Sequence, residues 1–273
     1  MKNIKILLTL VLTVALAASF AGCGNNEQAV DYSKSVDNAL VVAEAGSAGE
    51  ELATTDEFFA NAKFTAVDSM ATALMDVASG TSDIAIVDYV TSIGSIGEGT
   101  DFEALKVVEG KDFNPEEYGI AFRKGSDIVP AVNAAIAELA SEGKMDEIAA
   151  SYKLSDLIIK DGETFGDAVS EGDLAYIKEK GELIIGITLF APMNYEDENG
   201  ELIGFETEFA EAVCEKLGVE ANFVEINWNS KEIELNSKNI DCIWNGMTIT
   251  DERLENMSIS VPYMQNKQVM VSK

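Results

Sequence analysis

Short apolar runs of strand length alternate with amphipathic helical stretches along most of the chain, and this alternation restricts the fold to α/β crossovers. Residues 39–43 read as a buried strand, and Ser47 and Glu50 after it have capping-box spacing for a helix running toward Phe58-Phe59. Residues 64–67 lead into Asp68 as the expected N-cap of a helix with Met70, Leu74 and Val77 on one face and Gly80 at its end. Residues 83–87, 104–108 and 118–122 are further strands, and apolar stripes over 128–139 and 145–152 predict two consecutive helices. After an acidic connection at 158–176 the alternation resumes. Strands are expected at 183–188, 223–226, 240–244 and 268–271, a hairpin at 195–202 and an amphipathic helix from Phe205 to Leu217. Parallel strands need crossovers of about this length, so the fold class is α/β with mixed, mostly parallel sheets flanked by helices.

Charge narrows the partners. The 273 residues carry 19 Lys and Arg against 48 Asp and Glu, a net charge of −29 that repels a polyanion, so nucleic acid is excluded. With no histidine in the sequence, Ser-His and Cys-His nucleophiles, His-ligated zinc and a histidine pH switch are excluded too. No metal or cofactor is expected.

Lys2 and Lys5 precede an apolar run from Ile6 to Phe20, shorter than the roughly 20 residues that span a bilayer, and the small pair Ala21-Gly22 precedes Cys23. This pattern resembles a bacterial lipoprotein signal. It implies removal of residues 1–22 and lipidation of Cys23, anchoring the chain to the outer face of the cell membrane. The alternative is an ordinary secretory signal with Cys23 as a free thiol. Residues 23–37 are polar and aperiodic and read as a tether, while Cys214 and Cys242 lie in apolar settings and read as small core residues.

The most specific stretch runs from Asp241-Cys242-Ile243-Trp244 through Asn245-Gly246-Met247-Thr248 to Thr250-Asp251-Glu252-Arg253, followed by Val261-Pro262-Tyr263. A strand ends in a turn that presents backbone carbonyls and a hydroxyl. Thr250 then caps a short helix whose first turn holds Arg253, placed to grip a carboxylate bidentately. Here the chain resembles the substrate-binding proteins of polar amino acid ABC importers, solute-binding family 3, which have the type II periplasmic-binding fold. The resemblance implies two lobes closing on a ligand, with Arg253, Thr248, Gly246 and Asn245 on one side. It further implies Phe190, in Leu189-Phe190-Ala191-Pro192, and Trp228 as aromatic walls, although either ring could equally be core packing. Asp88 matches the family's carboxylate for the α-ammonium, with a helix N-cap as the competing role. The turn Gly46-Ser47-Ala48-Gly49 is similar to the family's Gly-Ser-Thr turn, so Ser47 and Ala48 join the candidates, and Glu44 stands where side-chain-reading residues occur or is a solvated strand end.

The matched segments stand in rearranged order. The family's first segment resembles 181–273, its second 38–116 and its last 118–157, so the chain resembles a circular permutant. This reading expects a smaller lobe at 38–115, a larger lobe at 118–273 and a covalent link between them only around 114–118. The expected activity is capture of a small α-amino acid and its delivery to the membrane subunits of an ABC permease, by a monomer and without catalysis. The rivals are an extracytoplasmic enzyme on the same fold, of dehydratase or lyase type, and a ligand-sensing module.

Overall fold

In the computed structural model, which describes residues 30–165 and 172–273, the first run of elements is β1 (Leu40–Glu44), α1 (Ala48–Thr55), β2 (Lys63–Val67), α2 (Met70–Ser79), β3 (Ile84–Asp88), α3 (Tyr89–Ser95) and β4 (Lys106–Val107). Next come β5 (Pro115–Tyr118), β6 (Ala121–Arg123), α4 (Val129–Ser141) and α5 (Lys144–Ser151). The last run is α6 (Asp173–Lys180), β7 (Glu182–Ile187), β8 (Tyr195–Glu196), β9 (Leu202–Ile203), α7 (Phe205–Leu217), β10 (Glu220–Glu225), α8 (Lys231–Asn236), β11 (Cys242–Ile243), α9 (Asp251–Asn256), β12 (Met257–Ile259) and β13 (Met264–Ser272).

Two mixed sheets result, one per lobe. The smaller lobe's sheet has the order β2-β1-β3-β13-β4 with β5 paired to β13, and the larger lobe's has β10-β7-β11-β6-β12. β1, β2 and β3 are mutually parallel, as are β7, β10 and β11, while β13 and β6 run antiparallel to their neighbours. Each sheet therefore contains one reversed strand, and in each case that strand has just crossed from the other lobe. The hairpin at β8 and β9 forms as expected.

Local chemistry explains the helices. On α7, Phe205, Phe209 and Val213 recur one helical turn apart and are all fully buried, and Gly218 closes the helix at φ +74°. Phe209 meets Trp244 edge-on at 5.5 Å. Burial of each such side chain contributes about 1.5–3 kcal/mol, and Phe209→Ala would cost about 3–5 kcal/mol through the cavity it leaves. Cys214 and Cys242 are free thiols buried in this core, as their apolar settings implied.

Five expectations change. β13 pairs with β3, β4 and β5, so residues 264–272 belong to the smaller lobe's sheet and the larger lobe ends near Tyr263. The lobes are consequently joined by two strands, β5 and the start of β13, paired antiparallel from Met264 opposite Tyr118 to Lys267 opposite Pro115. The expected tether is shorter than 23–37: Val36 is buried with Val41 and Phe59, Tyr32 packs on the same cluster, and the folded unit begins at Tyr32. The N-cap of α2 is Ser69, whose Oγ accepts from Thr72 N at 3.1 Å, and not Asp68. Part of the acidic connection is helical, since α6 occupies Asp173–Lys180. The signal segment, Cys23 and residues 166–171 lie outside the described residues.

Candidate functional site

Strand ends supply the site. In open α/β sheets the crevice beyond the carboxyl ends of parallel strands receives loop residues from several strands at once. β1 ends at Glu44 and turns through Gly46, at φ +73°, into Ser47, the N-cap of α1, while β3 ends at Asp88. From the other sheet, Phe190 follows β7, Trp228 follows β10, and Asn245, Gly246 and Thr248 follow β11. All ten residues singled out in the sequence, namely Glu44, Ser47, Ala48, Asp88, Phe190, Trp228, Asn245, Gly246, Thr248 and Arg253, line a single cavity, together with Met70. It encloses about 10 Å³, the room of roughly one water. A solute larger than water therefore enters only if the lobes part.

The caps expected at Ser47 and Thr250 form. Ser47 Oγ accepts from Glu50 N at 3.1 Å, and the Glu50 carboxylate accepts from Gly46 N at 2.5 Å. Thr250 Oγ1 accepts from Arg253 N at 3.2 Å, which fixes the arginine on the first turn of α9. Its guanidinium points inward: Nη1 donates to Thr248 O at 2.7 Å and Nη2 to Gly46 O, across the crevice, at 3.4 Å.

Asp88 does not act as a side-chain cap. Its carboxylate makes no hydrogen bond to α3, whose Val90 N instead donates to Asn266 Oδ1 at 3.3 Å. Tyr118 OH donates to Asp88 Oδ2 at 2.6 Å, and Gln268 Nε2 donates to Oδ1. Burial raises the Asp88 pKa, against the pull of these donors and of Arg253. Phe190 and Trp228 are buried and also touch the cavity, so packing and wall are one position for each ring. Asn245 is different in kind. Its Nδ2 donates to Thr188 O at 2.8 Å and Asn194 Oδ1 at 2.9 Å, and its Oδ1 accepts from Thr188 Oγ1 at 2.6 Å, so the side chain's polar atoms hold the turn.

Several site residues escaped sequence reasoning. Glu116, on the linking strand, accepts through Oε2 from Thr248 Oγ1 at 3.1 Å, Asn266 Nδ2 at 3.0 Å and Gln268 Nε2 at 3.1 Å, donors that belong to both lobes and the hinge. Burial, then the Asp88 charge, pushes its pKa up to about 7. Glu206 is fully buried in the first turn of α7, where it accepts from Gly246 N at 2.9 Å and from Tyr263 OH, and burial pushes it to about 7. Lys231, at the start of α8, is buried, lies 4.7 Å over the Trp228 ring and donates across the crevice to Gly46 O at 2.9 Å. Burial, then Arg253, lowers its pKa to about 8. Acids in a first turn and a lysine on a short polar helix read as solvated in a sequence. Only the Pro115–Tyr118 neighbourhood, already marked as the link between lobes, carried a usable signal.

Fold and crevice together define a two-lobed α/β protein with a polar site between its lobes. Its relatives are more particular. Residues 183–273 match the family described as bacterial extracellular solute-binding proteins, family 3. An L-cystine-binding protein of Escherichia coli (strain K12) is 38% identical over 105 residues, 38% of this chain and 40% of that protein. A probable amino-acid ABC transporter-binding protein of Haemophilus influenzae is 36% identical over 104 residues, covering 37% and 40%. An octopine-binding periplasmic protein of Rhizobium meliloti is 36% identical over 89 residues, covering 33% and 30%. The matches thus span about two fifths or less of the curated relatives' length. The resemblance drawn from residues 241–253 holds within this segment, and these relatives are named as binding proteins.

Proposed function

We propose that this protein captures a small polar α-amino acid between its lobes, outside the cytoplasmic membrane, and delivers it to an ABC import permease. The observation that carries the reading is the convergence of Arg253, Thr248, Phe190 and Trp228 from one lobe with Asp88, Ser47 and Glu44 from the other on one buried cavity. Arg253 takes the ligand carboxylate as a fork. The contact it gives up is the long one to Gly46 O, which a carboxylate oxygen outcompetes as a charged acceptor. Asp88 takes the α-ammonium, its carboxylate oriented by Tyr118 and Gln268. Phe190 and Trp228 flank the ligand. Because these contacts come from both lobes, ligand binds the closed arrangement better and shifts the population toward it, and the two-stranded link of β5 and β13 only has to bend.

On this reading Cys23 carries the lipid anchor, the chain works as a monomer, and no bond of the solute is made or broken. The segment order is that of a circular permutant. Supporting this, the β13 register carried two residues past Val271 sets Lys273 beside Asp83, and the β1 register sets Leu40 beside the same residue from the other side. The two chain positions are then about 10 Å apart, two strand spacings. A thermal-shift screen of free amino acids tests the function. A ligand at 100 times its Kd adds about 2.7 kcal/mol of stability, and a full panel without any shift overturns the reading.

A further inference from the structure

Three ionisable side chains line the cavity: Glu44 and Asp88 from the smaller lobe and Arg253 from the larger. The common part of an α-amino acid brings one carboxylate and one ammonium, which on the reading above meet Arg253 and Asp88. Glu44 is left over. It is only 2% exposed, and its Oε1 has no hydrogen-bond partner among the described residues. A buried carboxylate oxygen without a donor is costly, so such an atom aimed into a cavity marks a place where a ligand donor belongs. The charge of Lys231 favours the Glu44 carboxylate, but its ammonium makes no hydrogen bond to Oε1 and donates instead to Gly46 O at 2.9 Å and Trp228 O at 3.3 Å.

From the unmatched carboxylate we propose that Glu44 reads a cationic side chain, and that the solute is an α-amino acid bearing a second positive charge, a guanidinium or an ammonium. The proposal rests on the amino-acid reading of the crevice and deepens it. A second feature points the same way. Beside the cavity lies an open groove of about 870 Å³ that shares Ala48 and Thr248 with it and is lined by Glu51, Glu116, Glu117 and Asp251. Carboxylates at a mouth concentrate cations there and repel anionic solutes, in keeping with the charge of the whole chain. A neutral side chain would leave Glu44 to hold a proton in place of the missing partner, and an acidic one would set two carboxylates against each other.

The test is calorimetry on the full chain at pH 7 with L-arginine and L-lysine, their uncharged counterparts L-citrulline and L-norleucine, and L-glutamate. At least one cationic amino acid should bind about tenfold or more tightly than its neutral counterpart, the scale of a hydrogen bond to a charged group, and L-glutamate should bind weakest. Glu44→Gln, nearly isosteric, should bring that ratio close to one. Neutral amino acids binding as tightly as cationic ones overturn the proposal, as does a preference that survives Glu44→Gln. The ligand panel on the unaltered chain stands even if the variant fails to fold. If no amino acid binds the unaltered chain, the amino-acid reading itself falls, and this inference with it.

Discussion

The two lobes share a topology and divide the chemistry. In both, the second strand of the run lies at one edge, followed by the first, the third, a reversed strand from the other lobe and the fourth. The same strand ends therefore reach the crevice from either side. Yet the larger lobe brings the cations Arg253 and Lys231 and the rings Phe190 and Trp228, whereas the smaller brings Glu44, Asp88 and, at its hinge, Glu116. Both cations donate to Gly46 O on the opposite lobe, so the closed arrangement is held by charge-assisted bonds from one side only. A common fold thus fixes where loops meet, and the loop residues decide which charges each lobe presents to the crevice.

The largest effects should come from breaking this division. Arg253→Lys replaces the fork with a point charge and should lower ligand affinity by roughly 30-fold or more, read by calorimetry. Asp88→Asn should lose affinity on the same scale, and ligand-free stability should fall by about 1–3 kcal/mol as one of the buried donors, Tyr118 OH or Gln268 Nε2, loses its acceptor. A melting temperature that falls with affinity intact would return Asp88 to a purely structural role.

A smaller effect separates the lobes by pH. Glu44 is pushed up to about 8 by burial first and the Asp88 charge second, and Glu116 and Glu206 up to about 7, all from an ordinary value of 4.5. Above 4.5 the unfolded chain has released these protons and the native protein still holds them. The stability contributed by these three groups is therefore fully present below 4.5 and is lost as pH rises through 7 to 8. The ligand-free melting temperature should fall between pH 5 and pH 8. Glu44→Gln combined with Glu116→Gln, on the smaller lobe and its hinge, should flatten that fall more than Glu206→Gln on the larger. Lys231, lowered to about 8, acts only above this window.

The smallest effects compare two caps. Ser47→Ala and Thr250→Ala each remove one N-cap bond, worth about 1 kcal/mol or 2–4 °C in a chain of this size. Thr250→Ala also loosens the turn that carries Arg253, so it should weaken ligand binding more than Ser47→Ala does. Equal affinity losses in both variants would mean that the two helix starts contribute alike.

The features legible in the chain are local. Capping spacings at Ser47 and Thr250, the strand ends at Glu44 and Asp88, the turn at Asn245-Gly246 and the stripe on Phe205–Leu217 all depend on residues within a few positions of one another, and they stand where the pattern put them. The partner of the last strand was not legible, because 268–271 reads as a strand against any sheet and its pairing with Ile84–Asp88 is set by residues some 180 positions away. The same holds for Glu44, Glu116, Glu206 and Lys231. A charged residue in a sequence reads as solvated, and it becomes part of a site only when distant elements remove its water and decide which donors and charges replace it.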